Sequence, residues 1–182
     1  MKCKVRDPKK IIVISGSTRK NSSNLILIRA ICELFPDKFD FNIFEGLANI
    51  PHFNPDLDTD HPPQNVADFR NQLNESDGVL ICSPEYAMGV PGTLKNAIDW
   101  TVSSLEFSHK PVALITASTA GQAAHASLIG TLKIIEADIP ESSQLLISFA
   151  QTKVKGDKII DEDTLEQVKT VINSLGRTIA AG

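Results

Sequence analysis

The sequence predicts an α/β protein in which a five-stranded parallel sheet carries helices on both faces. Three observations predict it. Short runs rich in Ile, Val, Leu and Phe alternate with segments of helical period along the chain, the pattern of strands joined by crossover helices. Two of the strand-like runs end in loops dense in Gly, Pro, Ser and Asn. The 182 residues, 42% apolar and 22% charged, suit one ordinary soluble domain with a substantial core.

The elements follow in order. Residues 11–15 (Ile-Ile-Val-Ile-Ser) form the first strand. Residues 24–34 place Leu25, Ile28, Ala30, Ile31 and Leu34 at helical spacing, and Pro36 ends that helix. Residues 39–44 alternate Phe39, Phe41 and Ile43 with Asp40, Asn42 and Phe44 as the second strand. Residues 47–63 hold four prolines, three Asp and two His. Such a long connection is expected to be functional or mobile, shaping a pocket. Residues 64–74 are a helix with Val66, Phe69 and Leu73 on one face, and residues 78–83 the third strand. A helix over 93–105, a strand over 111–117, a helix over 122–137 and a strand over 144–149 follow. The terminal helix over 161–180 opens on Asp161, Glu162 and Asp163, which suit a helix N-terminus.

There is no internal repeat, linker or low-complexity stretch, so residues 1–182 read as one domain. Residues 1–9, with Lys2, Lys4, Arg6 and Lys9, read as a loose solvated tail. The net charge of −4 and the lack of a basic patch argue against nucleic acid as a partner. No apolar run approaches 18 residues, so no membrane span is expected. The apolar run after the tail is too short for a signal-peptide core, which makes the cytoplasm the default compartment. Cys3, Cys32 and Cys82 form no CxxC, and the four histidines show no paired-ligand spacing. No metal site and no protein nucleophile are expected.

Ligand chemistry gathers in two loops. After the first strand comes Gly16-Ser17-Thr18-Arg19-Lys20-Asn21-Ser22-Ser23-Asn24. Gly16 lets the chain leave the strand in a conformation that other residues resist. The hydroxyls, the helix N–H groups and the Arg19 fork suit a phosphate ester. Plain helix capping by Ser and Asn accounts for part of the same pattern. The loop has no GxxxxGK[ST], no GxGxxG and no Cys, so it is built to hold a phosphate, not to cleave one. After the third strand, Pro84-Glu85-Tyr86-Ala87-Met88-Gly89-Val90-Pro91-Gly92 offers backbone donors and acceptors to the edge of a flat ring. Its prolines stiffen it in advance. The same run also reads as a long strand-to-helix connection. Lys95 and Asp99 read as a simple i,i+4 pair. With five strands the order 2-1-3-4-5 brings both loops to one crevice.

The pattern Gly-Ser-x-Arg-x-x-Ser-x-Asn, followed by Pro-Glu-Tyr-x-x-Gly-x-Pro-Gly-x-Leu-Lys-Asn-Ala-Ile-Asp-Trp, resembles the NADPH-dependent FMN reductases, which include quinone, azo-dye and chromate reductases. The resemblance runs from about residue 10 to 150. It implies a flavodoxin-like three-layer sandwich and a homodimer or homotetramer. By it Ser17, Thr18, Arg19, Ser22, Ser23 and Asn24 hold the FMN phosphate. Pro84, Glu85, Tyr86 and Ala87 line the flavin ring, and Ser118 is a third contact. NADPH or NADH gives hydride to the flavin, which passes electrons by a ping-pong cycle to a small-molecule acceptor: a quinone, azo compound, metal ion or flavin. No catalytic side chain is implied, since the cofactor carries the chemistry. Two positions depart from the family. Ala87 stands where it often has Asn, and Ala124-His125 stand where it often has Gly-Gly. His125 reads either as a substrate-side group or as a surface or interface histidine. Two rival readings are a flavodoxin-type electron carrier, disfavoured by the modest charge and 5% aromatic content, and a flavin-free α/β binding protein.

Overall fold

The computed structural model describes residues 8–182; residues 1–7 of the expected tail, Cys3 included, lie outside them. Five strands, β1 (Lys9–Ser15), β2 (Phe39–Ile43), β3 (Gly78–Ser83), β4 (Val112–Ala117) and β5 (Gln144–Ile147), form one sheet in the order β2-β1-β3-β4-β5. Every neighbouring pair is parallel. Lys9 and Lys10 belong to β1, not to the tail: Lys9 Nζ and the Lys10 N–H both reach the Asp77 carboxylate at 2.8 Å. Those contacts outweigh the burial of Asp77 and hold its carboxyl below the usual range.

Strand alternation sorts the core into two layers. Ile12, Ile14, Val79, Ile81, Val112 and Leu114 pack against α2 (Gln64–Asn74), α3 (Gly92–Asp99) and α4 (Gln122–Ile134). Ile11, Val13, Leu80, Cys82, Ala113 and Ile115 pack against α1 (Ser23–Leu34) and α5 (Glu162–Ala181). β3 and β4 are buried at every residue, as strands covered on both faces must be. Cys82 is a buried core thiol whose Sγ meets Asn24 Oδ1 at 3.2 Å, and burial pushes its pKa up. Burial likewise raises Cys32 to about 11, so neither thiol is a nucleophile at neutral pH.

Several boundaries differ from the sequence expectation. α3 stops at Asp99, where Thr101 Oγ1 returns to the Ile98 carbonyl at 2.7 Å and competes with the helix ladder. α4 stops at Ile134. Glu136 adopts φ 62°, the Ala137 N–H reaches the Leu132 carbonyl and the Glu136 N–H that of Lys133. This is a Schellman ending with Glu where Gly is usual, so the sequence carried no signal for it. β5 ends at Ile147 because Phe149 turns left-handed at φ 53°. A short antiparallel ribbon, β6 (Val154–Lys155) and β7 (Lys158–Ile159), was not anticipated. Its Gly156-Asp157 turn is the signal that could have found it.

The connection over 47–63 contains two single 3₁₀ turns, Leu47–Asn49 and Pro55–Leu57. It is stapled down. The Pro51 carbonyl accepts from Trp100 Nε1 at 2.8 Å and Asn96 Nδ2 at 2.9 Å, while Asn96 Oδ1 accepts the Phe53 N–H at 2.8 Å. Asp58 pairs with Arg70 at 2.7 Å and accepts from Ser103 at 2.6 Å. The Arg70 guanidinium also donates to the Trp100 carbonyl and lies 3.9 Å from Glu106. The expected mobility is therefore replaced by a buried polar knot.

Candidate flavin and phosphate site

β1 and β3 end side by side at the carboxyl edge of the sheet, and the tightness of that contact places the first loop. A Cβ on Gly16 would sit 2.4 Å from Ser83 Oγ and 3.0 Å from Ser83 Cα. Gly16 is thus needed for close approach of two backbones, and not for a left-handed φ, which only Gly121 and Gly156 show among the described glycines.

Within the loop, the Ser17 N–H reaches Ser15 Oγ at 3.3 Å, and Ser17 Oγ accepts the Arg19 N–H at 3.4 Å. Ser22 is the N-cap of α1 and accepts from the Leu25 N–H at 3.1 Å. The helix's first N–H groups, at Ser23 and Asn24, have no intrahelical partner and remain for a ligand. Asn24 departs from expectation in its side chain. Nδ2 donates to the Ala117 carbonyl at 3.0 Å and Oδ1 meets Cys82, so the amide ties α1 to β3 and β4. Arg19 is exposed and has no carboxylate within salt-bridge distance among the described residues.

The second loop turns back on itself. The Tyr86 N–H meets the Gly89 carbonyl at 3.0 Å and the Gly89 N–H the Tyr86 carbonyl at 2.9 Å. Ala87 and Met88 at its tip have φ 49° and 57°. A two-residue turn of this kind needs φ > 0 at both central positions and favours Asn and Gly. Ala87 therefore matters through the backbone it must adopt, and Met88 at the tip is 81% exposed. The Tyr86 hydroxyl reaches back to Ser17 Oγ at 3.3 Å and joins the two loops.

Glu85 makes a third connection. Its N–H donates to Ser118 Oγ at 3.3 Å, and its two carboxylate oxygens accept the N–H groups of Gly121 at 3.3 Å and Ala124 at 2.9 Å. The carboxylate caps the start of α4, where the helix dipole favours negative charge. Gly121 has φ 104°, and a Cβ there would lie 2.8 Å from Leu146. His125, one turn into α4, has Nδ1 2.8 Å from the hydroxyl of buried Thr116. Burial lowers its pKa below the usual 6.5, so it is neutral at pH 7. It is a satisfied, half-buried histidine beneath the loops.

These three loops enclose a cavity of about 440 Å³. Ser17, Arg19, Ser22, Ser23, Asn24, Pro84, Glu85, Tyr86 and Ser118 line it; Thr18 and Ala87 do not. Asn21, Thr119, Gln151 and Val154 also line it, and sequence reasoning missed them. Gln151 and Val154 arrive because the N–H groups of Phe149 and Ala150 bond the carbonyls of Thr119 and Ser118 at 3.2 and 3.1 Å. No local motif announces that pairing.

The donor set fits a phosphate ester attached to a flat ring. One end gathers hydroxyls, free helix N–H groups and a guanidinium. Glu85 is the one carboxylate among the described lining residues. Both its oxygens are turned into the α4 N-terminus, which removes the obvious repulsion of a phosphate. No group of three or more His, Cys, Asp or Glu residues among the described residues could hold a metal ion.

Known proteins resemble this chain over most of its length. The model of the NADPH-dependent FMN reductase family matches residues 9–152. A 2-hydroxy-1,4-benzoquinone reductase from a Burkholderia species is 32% identical over 171 residues, covering 90% of this chain and 92% of its own. The quinone reductase of Escherichia coli K12 is 29% identical over 177 residues, covering 93% and 94%. Among solved structures, FerB from Paracoccus denitrificans, a flavoenzyme NAD(P)H:(acceptor) oxidoreductase, superposes with a TM-score of 0.78. It is 26% identical, with 95% of this chain and 98% of that chain covered.

Proposed function

The chain belongs to the NADPH-dependent FMN reductase family, and on that footing we propose that it is an FMN-dependent NAD(P)H oxidoreductase that reduces quinones. FMN held in this cavity would supply the hydride and electron transfer between a nicotinamide nucleotide and the acceptor. The protein's own residues bind and position. Ser17, Arg19 and Ser22, with the N–H groups of Ser23 and Asn24, hold the phosphate; Thr18 acts only through the backbone path of the loop. Pro84, Glu85 and Tyr86 line the ring, and Ala87 sets the turn that holds Tyr86 in place. Ser118 fixes the Glu85 backbone, and the Glu85 carboxylate locks the ring loop to α4. No side chain is assigned a proton-transfer role.

The observation that carries this reading is the shared cavity. It joins a phosphate-type donor set to a stiff ring-binding loop at the switch point between β1 and β3, where open α/β sheets bind ligands. The relatives named quinone reductases support a quinone as acceptor. The reading also includes a chain working as one domain, a cytoplasmic setting, and a homodimer or homotetramer that light scattering would reveal as two or four chains. No helix among the described residues is long and apolar enough to cross a membrane.

The test is steady-state oxidation of NADPH by the FMN-loaded protein with a benzoquinone as acceptor. Turnover that depends on both FMN and quinone is expected. A flavin-loaded protein that oxidises neither NADPH nor NADH would instead be an electron carrier.

A further inference from the structure

A second cavity, of about 610 Å³, lies on the other side of the β1–α1 loop, between that loop and the segment after β2. It meets the first across Ser17, Arg19 and Asn21, which line both. Three cations line it, Arg19, Lys20 and Arg29. Ile43, Phe44 and Leu47 also line it, with Leu25 from α1. Phe44 and Leu47 are buried, so the cavity has a fixed apolar floor rather than a solvated one. A single anionic side chain, Glu45, lines it.

The cations are poorly neutralised. Arg19 and Lys20 have no carboxylate within salt-bridge distance among the described residues, and Arg29 meets only Asp157, at 3.7 Å with both groups half-exposed. A pair of that kind is worth little. An apolar slot also lined by unneutralised cations suits an aromatic base carrying a phosphomonoester.

We propose that this second cavity binds the adenosine 2′-phosphate end of NADPH, with Lys20 and Arg29 on the phosphate and the Ile43–Phe44–Leu47 floor under the base. This rests on the nicotinamide-dependent reading above. It extends that reading by assigning NADPH, rather than NADH, as the preferred reductant. Arg19 stands between the two cavities and sets the boundary between FMN phosphate and nucleotide phosphate. Glu45, the one carboxylate lining this cavity, would accept from the hydroxyl and amino donors of the nucleoside.

The experiment compares the FMN-loaded wild type with the Lys20→Ala/Arg29→Ala double variant in two assays. Calorimetric titration with adenosine 2′,5′-bisphosphate and with adenosine 5′-monophosphate reads the site without turnover. KM values for NADPH and NADH with a benzoquinone read it in the enzyme. Loss of two charge-assisted contacts should weaken the bisphosphate and raise KM for NADPH by about tenfold or more. The monophosphate affinity, KM for NADH, kcat and FMN content should stay within about twofold, a change worth well under 1 kcal/mol. Bisphosphate that fails to bind the wild type, or binds the double variant equally well, overturns the proposal, as does an equal rise in KM for both nucleotides. If neither nucleotide is oxidised but the titration still distinguishes the variants, the cavity stands and the activity reading falls. If NADPH is oxidised and the titrations do not differ, the reverse holds.

Discussion

Two proline-rich loops of this molecule look alike in sequence and are opposite in structure. Residues 47–63 are longer and carry more prolines than residues 84–92. The first is anchored through two groups: Pro51 by Trp100 and Asn96, Asp58 by Arg70 and Ser103. In the second, Pro84, Glu85 and Tyr86 line the shared cavity while Glu85 and Tyr86 bond to Ser118, the start of α4 and Ser17, and the backbone is held in an uncommon left-handed turn at Ala87 and Met88. Loop length and proline content alone therefore do not separate the two. What separates them is place: residues 84–86 line the cavity at the carboxyl edge of β1 and β3, whereas residues 51–58 are anchored on Arg70, Asn96 and Trp100.

The comparison breaks most forcefully at Arg70. Its side chain and that of Asp58 are 10% exposed and that of Glu106 3%. Arg70→Ala strands two buried carboxylates, at a cost of about 3–5 kcal/mol. In a chain of this length that lowers the melting midpoint by roughly 10 °C. FMN affinity measured well below the new midpoint should hardly change. An equal loss of flavin binding would show that the two loops are one unit. Acid reads the same knot. Burial opposes ionisation of Asp58, but the Ser103 and Arg70 hydrogen bonds and the Arg70 charge outweigh it and set its pKa below the ordinary 3.8. The Asp58 contribution to stability is thus fully present above that value and is lost as the pH falls through the lower folded-state pKa. Thermal melts from pH 7 down to pH 2 should show the midpoint falling in that window, and falling less steeply in Arg70→Ala.

Arg19→Ala gives the mirror image. Removal of one charged donor should weaken FMN by about 10- to 100-fold, equivalent to about 1.5–3 kcal/mol. The flavin-free protein should melt within about 0.5 kcal/mol of wild type, because the side chain is exposed. Fluorescence titration and calorimetry check the two halves. Glu85→Ala is intermediate and touches both properties, since the carboxylate joins the ring loop to α4. It should cost about 1–2 kcal/mol of stability and loosen FMN as well, with Glu85→Gln recovering part of each. The smallest effect belongs to the turn. Ala87→Asn places a residue tolerant of φ > 0 at a φ of 49° and should stabilise by about 0.5 kcal/mol in denaturant melts.

The sheet was legible in the sequence because alternation of buried runs and helical period is a local signal. Ile12 and Ile14 on one face against Ile11 and Val13 on the other follow directly from a strand with period two. The donor-rich β1–α1 loop was legible for the same reason, since its hydroxyl and amide residues are contiguous. What could not be read depends on distant partners. Asn24 looks like a phosphate ligand until Cys82 and Ala117 claim its amide. Gly16 looks like a turn residue until Ser83 is found 2.4 Å from where its Cβ would be. Gln151 and Val154 enter the cavity only through the pairing of the segments after β4 and β5. The stapling of residues 47–63 needs Arg70 and Trp100, neither of which belongs to any local motif.

The central claim is that the β1–α1 loop exists to hold the phosphate of a flavin mononucleotide. Equilibrium titration of the flavin-free protein with FMN and, in parallel, with riboflavin tests it most directly, because the two ligands differ only in that phosphate. Saturable FMN binding with riboflavin weaker by at least about tenfold, and with that gap narrowed in Arg19→Ala, is the predicted result. Equal binding of the two ligands, or no binding of either, would contradict it.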